Sequence, residues 1–391
     1  MNLLNYIKNE KITNFNDLKV VLESDTFKLK IKEDTEFPNL FLVHTQESCD
    51  FNNKIVRECN GIIMDKNTLG IVCYSFDKYK EPDTFDSELN INELYVEDAL
   101  EGTLVRLFYY NATWYLSTKK CINAANAKWL SQKNFLELFQ ESLIILNKVN
   151  IYNNLNTSNC YSFILGHPEN NIVVNYHTPT LFHIGTRNLQ TLEELYEDIG
   201  IQLPVRNLIP MNEIGPFIEN IKNDISVMRE GYIFIDKKYN RQKYRSTIYN
   251  NLRNLWGNTN NRFFRYLELR KDQVQLSIYI SNFSRDIPIF SEYEKTIYLL
   301  GKDILTHYIL KYVEKKDVKN PYYFAKLLYK IHGDFLNTRH QTNIDKILVE
   351  LYNLEPKKLY FIYKHHSVAK VKENNDMLNI PTTETMTVDT Y

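Results

Sequence analysis

The sequence is poor in cysteine, and the cysteines it has form no pattern that builds a site. Cys49, Cys59, Cys73, Cys121 and Cys160 are odd in number, and none stands in a C-x-x-C pair. A disulfide framework and a cysteine-built zinc site are thereby excluded, and a reducing compartment is expected. Also missing is any run approaching the ~20 apolar residues of a membrane span, so no membrane partner is expected. The opening Met1-Asn2-Leu3-Leu4-Asn5-Tyr6-Ile7-Lys8 lacks the long apolar core of a signal peptide. These absences together point to the cytoplasm. Charge of one sign is missing as well: 47 Lys and Arg against 48 Asp and Glu leave a net charge of −1. No global basic field announces nucleic acid, and any RNA-binding surface must be a local patch. No internal repeat is visible.

What is present fits a soluble globular chain. The 391 residues have room for two domains, with 43% apolar and 24% charged residues. From about residue 38 to 250 the pattern is mostly strands, β-branched or aromatic runs separated by Asn, Asp, Gly and Pro. Leu40–His44, Gly61–Met64, Gly70–Tyr74 and Thr103–Tyr110 are the first of these. Val105, Leu107 and Tyr109 alternate with Leu104, Arg106 and Phe108, which suits a sheet with one face more deeply buried. Trp114–Thr118 is the expected hairpin partner across Asn111-Ala112-Thr113. Further strands are expected at Tyr161–Leu165, Ile172–Tyr176, Leu181–Gly185 and Gly231–Asp236, with helices at Ser131–Ile145 and Leu192–Asp198.

After about residue 285 the apolar spacing becomes helical. Ile297, Leu300, Ile304, Tyr308 and Tyr312 lie at three- and four-residue steps within Glu292–Val313, and Tyr322–Ile331 and Ile344–Tyr352 continue the pattern. Asn320-Pro321 marks a helix start. The expected organisation is an N-terminal segment over 1–37, an α+β domain of mixed antiparallel sheets over 38–270, an all-helical domain over 285–370 and a disordered polar tail over 371–391.

Taken singly, the motifs of the first domain are weak. Glu230-Gly231 ahead of Tyr232-Ile233-Phe234-Ile235 reads as any turn into a strand, and Lys243-Tyr244-Arg245-Ser246 as a solvated strand face. Their succession is more specific. The chain runs Arg57-Glu58-Cys59-Asn60-Gly61, Phe76-Asp77-Lys78-Tyr79, Val96-Glu97-Asp98-Ala99-Leu100-Glu101-Gly102-Thr103, Pro168-Glu169-Asn170-Asn171, Arg229-Glu230-Gly231 and Lys243-Tyr244-Arg245.

That order resembles the ATP-dependent RNA ligases of the phage tRNA-repair type, members of the covalent nucleotidyltransferase superfamily, over roughly residues 38 to 270. The resemblance implies an ATP-grasp-like adenylation domain and ATP-dependent joining of RNA 5′-phosphate and 3′-hydroxyl ends through an adenylylated intermediate. In that family a lysine attacks the α-phosphate of ATP, AMP passes to an RNA 5′-phosphate, and a 3′-hydroxyl displaces it. The implied cofactors are ATP and Mg²⁺, and the implied partner is structured RNA or tRNA-like ends, bound by a monomer. DNA ligases and capping guanylyltransferases usually continue into a β-rich domain, whereas this chain continues into helices.

Carried over position by position, Ala99 stands where the family has its nucleophilic lysine. Lys243 and Arg245 match the residues that hold the α-phosphate, arginine replacing a second lysine. Nucleotide-binding roles fall to Arg57, Lys78, Glu101, Gly102, Lys119, Glu230 and Gly231, and Glu230 is also the candidate metal ligand. Further departures are Asn60 for an arginine near the ATP phosphates and Ile164 for a carboxylate. An alanine cannot attack ATP. Either another residue compensates, with Lys119, Lys120 and His167 as candidates, or the chain binds nucleotide or RNA ends without covalent chemistry, as a pseudo-ligase. His167, before Pro168, reads better as a hydrogen-bonded structural residue, and His365 and His366 as surface residues after the last helix.

A basic and aromatic stretch, Arg241, Arg253, Trp256, Arg262, Phe263, Phe264, Arg265, Arg270 and Lys271, is a candidate RNA-facing edge. An ordinary helix packing Phe263 and Leu267 inward explains it equally well.

Overall fold

The computed structural model describes residues 1–82, 89–90 and 93–377. The chain separates into two compact units, Met1–Trp256 and Gly257 onward, so the division falls ahead of the expected boundary near 270.

The first unit is built on three antiparallel sheets. One orders β1 (Lys30–Glu33), β2 (Leu40–His44), β3 (Ile62–Asp65) and β4 (Ile71–Cys73) in sequence. A second contains β5 (Leu94–Ala99), β11 (Asn207–Ile209), β12 (Gly231–Asp236) and β13 (Arg241–Arg245), in the order β11-β5-β12-β13. The third, in the order β10-β9-β8-β6-β7, contains β6 (Thr103–Tyr110), β7 (Thr113–Thr118), β8 (Asn159–Gly166), β9 (Thr180–Asn188) and β10 (Glu194–Leu195). The β6–β7 connection is tighter than expected. Asn111 and Ala112 both take positive φ, 47° and 60°, which gives the twist that a two-residue hairpin requires.

Residues 1–37 are part of this unit and not a separate segment. Leu3, Ile7, Leu18 and Leu22 of the helices Asn2–Asn9 and Phe15–Glu23 are buried in one core with Phe41, Val43, Val56 and Ile62. The buried Glu58 carboxylate accepts the backbone amides of Asn2 and Leu3, each at 2.8 Å, and so caps the first helix. On the third sheet, the helix Phe135–Ile145 starts four residues later than expected, at a capping box made by Asn134 and Glu137. It packs Leu138, Phe139 and Leu143 against Val105, Leu107 and Phe163.

Two local expectations fail for the same reason, because a polar side chain claims the backbone. Ile172–Tyr176 is not a strand: its amides turn inward onto Glu101. Leu192–Asp198 is not a helix: Glu194 enters β10, pairs with Arg187 of β9 and forms a buried ion pair with Arg241.

The second unit is helical, as its spacing implies. Its elements are Arg262–Leu269, Gln273–Asn282, Ile287–Tyr308, Tyr322–Thr338, Ile344–Asn353 and Pro356–Met377. Ile297, Leu300, Ile304, Leu328, Ile331, Ile347 and Leu351 are buried in it. The last helix runs past Lys370 to Met377, so the proposed tail begins later than expected; residues 378–391 lie outside the described residues. His365 and His366 are inside that helix and not beyond it. His366 Nε2 lies 2.9 Å from Asp303, and His365 lies 2.5 Å from the Tyr322 hydroxyl.

The candidate RNA-facing stretch divides between the units. In the second unit Phe263 and Leu267 are buried, Arg262 pairs with Asp286, Arg265 lies 3.0 Å from Glu268, and Arg270 lies 3.2 Å from Glu294. These side chains pack and pair within the helical unit, which corrects the reading of them as a free edge.

Candidate active site

Cross-strand register places the candidate residues in rows. Gly231 of β12 lies between Ala99 of β5 and Arg245 of β13, and Ile233 lies between Glu97 and Lys243. Ile235 lies between Tyr95 and Arg241. Residues directly opposite on neighbouring strands share a face, so Ala99, Lys243 and Arg245 look out from the same side of this sheet. Gly231 has a structural duty here, because a β-carbon on it would come within 2.0 Å of the Tyr244 carbonyl oxygen.

Glu230 anchors the row of cations. Its amide donates to the Ala99 carbonyl at 2.8 Å. Its carboxylate accepts Lys243 Nζ at 2.8 Å and Arg245 Nε at 3.1 Å. Burial alone would raise the Glu230 carboxyl, but Lys243 and Arg245 outweigh it and hold the pKa down at about 2. Arg245 also pairs with Glu81, and Lys243 Nζ lies 3.7 Å from the same carboxylate.

Two more cations belong to this group. Lys78 sits with its ammonium 3.2 Å from the Phe51 ring centroid. Burial lowers its pKa, Glu81 pulls it up, and Arg245 and Lys243 push it down. Lys119 follows β7, with its backbone so close to Gly61 that a β-carbon there would meet it at 2.8 Å. The buried Arg106 fixes this corner, donating to the Gly61 carbonyl and, at 2.6 Å, to the Thr118 carbonyl. Lys119 is exposed to water, with its ammonium near the charged groups of this corner. Desolvation brings its ammonium down to about 8, and Lys243, Arg106 and Lys78 push the same way against Glu230. Four cations, Lys78, Lys119, Lys243 and Arg245, thus face two carboxylates, Glu81 and Glu230, which leaves the group positively charged and suited to phosphate.

A titration follows from Lys119. Its charge is present below about pH 8 and is lost above it, so affinity for a 5′-phosphorylated RNA oligomer is expected to fall as pH rises through that value. The fall should flatten in Lys119→Gln. Parallel pH curves for the two proteins would place Lys119 outside the phosphate site.

Ala99 itself is closed over. It is 1% exposed and packs with Ile233 and Ile235, with Tyr79 and Tyr239 against them. Ala99→Lys is expected to cost about 1–3 kcal/mol of stability by overpacking alone, read as a lower urea midpoint. An unchanged midpoint would mean that the position opens into the cleft. Ile164, which stands in place of a carboxylate, lies against Phe76, Leu104 and Ile184, so an apolar pocket has replaced a polar one.

Other expected residues take different duties. Glu101 is 3% exposed, and its carboxylate accepts the amides of Ile172, Val173 and Val174 at 2.9–3.1 Å and the Tyr249 hydroxyl at 2.9 Å. It holds the 171–174 turn in place, so the expectation that it binds nucleotide is corrected. Gly102 is required because a β-carbon would lie 2.6 Å from both Ile164 and the Leu165 carbonyl. His167 is 2% exposed, accepts the Glu169 amide at 3.1 Å and lies 3.1 Å from Glu141, a structural residue as anticipated.

Beside the cations opens a cavity of about 720 Å³, with Arg57, Lys78, Tyr79, Arg187, Tyr239 and Arg241 in its wall. Phe76 and Tyr79 stack at 5.1 Å along it. Sequence reading missed Arg106, Glu97, which pairs with Arg206 at 2.9 Å, and the Arg241–Glu194–Arg187 group. Their signal was a charged residue inside an otherwise apolar strand, as with Arg106 between Val105 and Leu107.

The residues can be tested against the cofactors that the resemblance implies. Lys78, Lys119, Lys243 and Arg245 suit the phosphates of a nucleotide. Among the described residues no group of three or more His, Cys, Asp or Glu gathers to hold a metal ion. A divalent ion would rely on phosphate oxygens and water, with Glu230 as the nearby carboxylate.

No protein-family model matches the chain. Its sequence is 25% identical over 237 residues to a protein of Autographa californica nuclear polyhedrosis virus that carries the name bifunctional polynucleotide kinase/RNA ligase, covering 54% of this chain and 33% of that one. It is 23% identical over 272 residues to the RNA ligase of Rhodothermus phage RM378, covering 54% of this chain and 62% of that one. The chain is thus similar in sequence to proteins that carry the name RNA ligase. An immediate-early protein ICP-46 homolog of Invertebrate iridescent virus 6 is 24% identical over 275 residues, 64% of this chain and 60% of that one. The chain thus spans less than two thirds of the length of each of these relatives. Among solved structures, an archaeal ATP-dependent RNA ligase is similar at a TM-score of 0.41 and 11% identity, over 72% of this chain and 74% of that one.

Proposed function

We propose that the chain is an RNA ligase-like nucleotidyltransferase, which joins RNA 5′-phosphate and 3′-hydroxyl ends through an adenylylated intermediate. One observation carries this reading: Lys243 and Arg245 converge on Glu230, with Lys78 and Lys119 near them, in a charged recess beside the β5–β6 turn. Such a group stabilises the charge that develops on a phosphoryl centre in transfer. Lys243 and Arg245 are the proposed catalytic pair, placed to hold the reacting phosphate while Glu230 fixes both head groups. Lys78 and Arg57 are proposed to hold the phosphates of a nucleotide, and ATP with Mg²⁺ is the source of the adenylyl group that activates the 5′ end.

The proposed partner is structured RNA or tRNA-like ends, acted on by a monomer. The five cysteines are free and buried, and no described helix is long and apolar enough to cross a membrane. The cytoplasm is the proposed setting, where RNA repair takes place.

A joining assay on a nicked structured RNA tests the reading. One arm carries a 5′-phosphate with ATP and Mg²⁺, and the other carries a 5′ end already adenylylated. Joined product in either arm supports ligation. Absence of product in both contradicts it and favours a protein that binds ends without sealing them, the reading that Ala99 invites.

A further inference from the structure

A phosphate monoester does not condense with a hydroxyl in water until one of its oxygens becomes a good leaving group. An enzyme that does this activation covalently needs an unprotonated amine facing the bound nucleotide. Position 99 supplies none, and the place itself is closed: Ala99 is 1% exposed and belongs to an apolar cluster with Ile233 and Ile235. Glu97, two residues back on the same face, is engaged with Arg206 at 2.9 Å, so no free polar group approaches Ala99 from its own strand.

The recess does hold cations that would steady a phosphoryl transfer. Lys243 and Arg245 are held by one buried carboxylate at 2.8 Å and 3.1 Å. Arg245 projects in the row of Ala99, with Gly231 between them, and Lys243 in the next row on the same face. The site keeps its charge and has lost its nucleophile.

We propose that the substrate of this chain is an RNA 5′ end that arrives already adenylylated, carrying AMP in a phosphoanhydride. The inference rests on the ligase reading above and narrows it to the sealing step. The 3′ oxygen of the acceptor RNA forms a bond to the 5′ phosphorus. The bond from that phosphorus to the bridging anhydride oxygen breaks, AMP leaves with the electron pair, and the hydroxyl proton passes to solvent. No oxidant, reductant or further nucleotide is consumed. Lys243 and Arg245 neutralise the charge on the transferring phosphoryl group, and no protein nucleophile takes part. The adenylylated end must then come from a separate adenylyl-transfer reaction.

The test uses the full chain and three readouts. With adenylylated RNA and a 3′-hydroxyl acceptor but no ATP, joined RNA and free AMP are expected in equal amounts. With α-labelled ATP alone, no label is expected on the protein after denaturation. With 5′-phosphorylated RNA and ATP, no joining is expected. Label on the protein, or joining of the 5′-phosphorylated RNA with ATP, would overturn the inference while leaving the ligase reading intact; Lys119 would then be the first amine to map. Absence of joining in every arm would overturn both.

Discussion

Glu101→Ala is expected to destabilise the first unit by about 3–5 kcal/mol, because several donors lose one acceptor and each buried donor left unsatisfied costs roughly 1–3 kcal/mol. The carboxylate is 3% exposed and accepts three consecutive backbone amides, of Ile172, Val173 and Val174, together with the Tyr249 hydroxyl. Burial pushes the carboxyl upward, and those four donors pull it back. Without it, three amides lose their acceptor at a position water does not reach, and the turn that positions Val173, Val174 and Tyr249 in one apolar cluster is released. Equilibrium urea unfolding reads the loss directly. Glu101→Gln keeps the shape and an acceptor oxygen but loses the charge, so it should fall between the two. A change below about 1 kcal/mol for Glu101→Ala, the range of an ordinary hydrogen bond, would mean that the 171–174 turn is held by something else and would return Glu101 to the nucleotide.

Lys243→Ala is expected to slow the sealing of adenylylated RNA by about 10²–10³-fold, the typical loss on removing one preorganised donor from a developing anion. Lys243 points from β13 on the same face as Ala99, one row along, and meets Glu230 at 2.8 Å. Its loss leaves Arg245 alone on that carboxylate. The effect should fall on the single-turnover rate at saturating RNA more than on RNA affinity, because the contact strengthens as charge develops. Arg245→Lys keeps the charge but loses the planar fork that reaches both Glu230 and Glu81, and a smaller loss is expected. Equal sealing rates for wild type and Lys243→Ala would remove this lysine from the reaction.

The strands that carry the site were legible because their hydrophobic pattern and their local chemistry agree. Thr103–Tyr110 and Gly231–Asp236 were read with the bounds the structure shows. Reading failed where one polar side chain overrode the pattern. Ile172-Val173-Val174 has strand composition, but Glu101, about seventy residues earlier, captures its amides. Leu192–Asp198 has helical spacing, but Glu194 is drawn into a sheet by Arg187 and Arg241. Neither capture is visible from local sequence, since each depends on a partner brought close only by folding. The same holds for the site. The cations Lys78, Lys119, Lys243 and Arg245 could be named from motif order, whereas their charge-balancing partner Glu81 and the fixing arginine Arg106 could not. That Ala99 lacks a nucleophile was plain in the sequence. That Ala99 is buried in an apolar cluster with Ile233 and Ile235 required the structure.

The central claim is that the cations gathered about Glu230 receive the phosphorylated end of an RNA. Competition binding of one RNA oligomer with a 5′-phosphate and with a 5′-hydroxyl, to wild type and to Lys243→Ala/Arg245→Ala, tests it most directly. A charge-assisted contact to a terminal phosphate is worth about 1.5–3 kcal/mol, so wild type should prefer the phosphorylated RNA by roughly 10–100-fold, and the double variant should lose that preference. Equal affinity of wild type for the two ends, or a preference that survives in the double variant, would contradict the account.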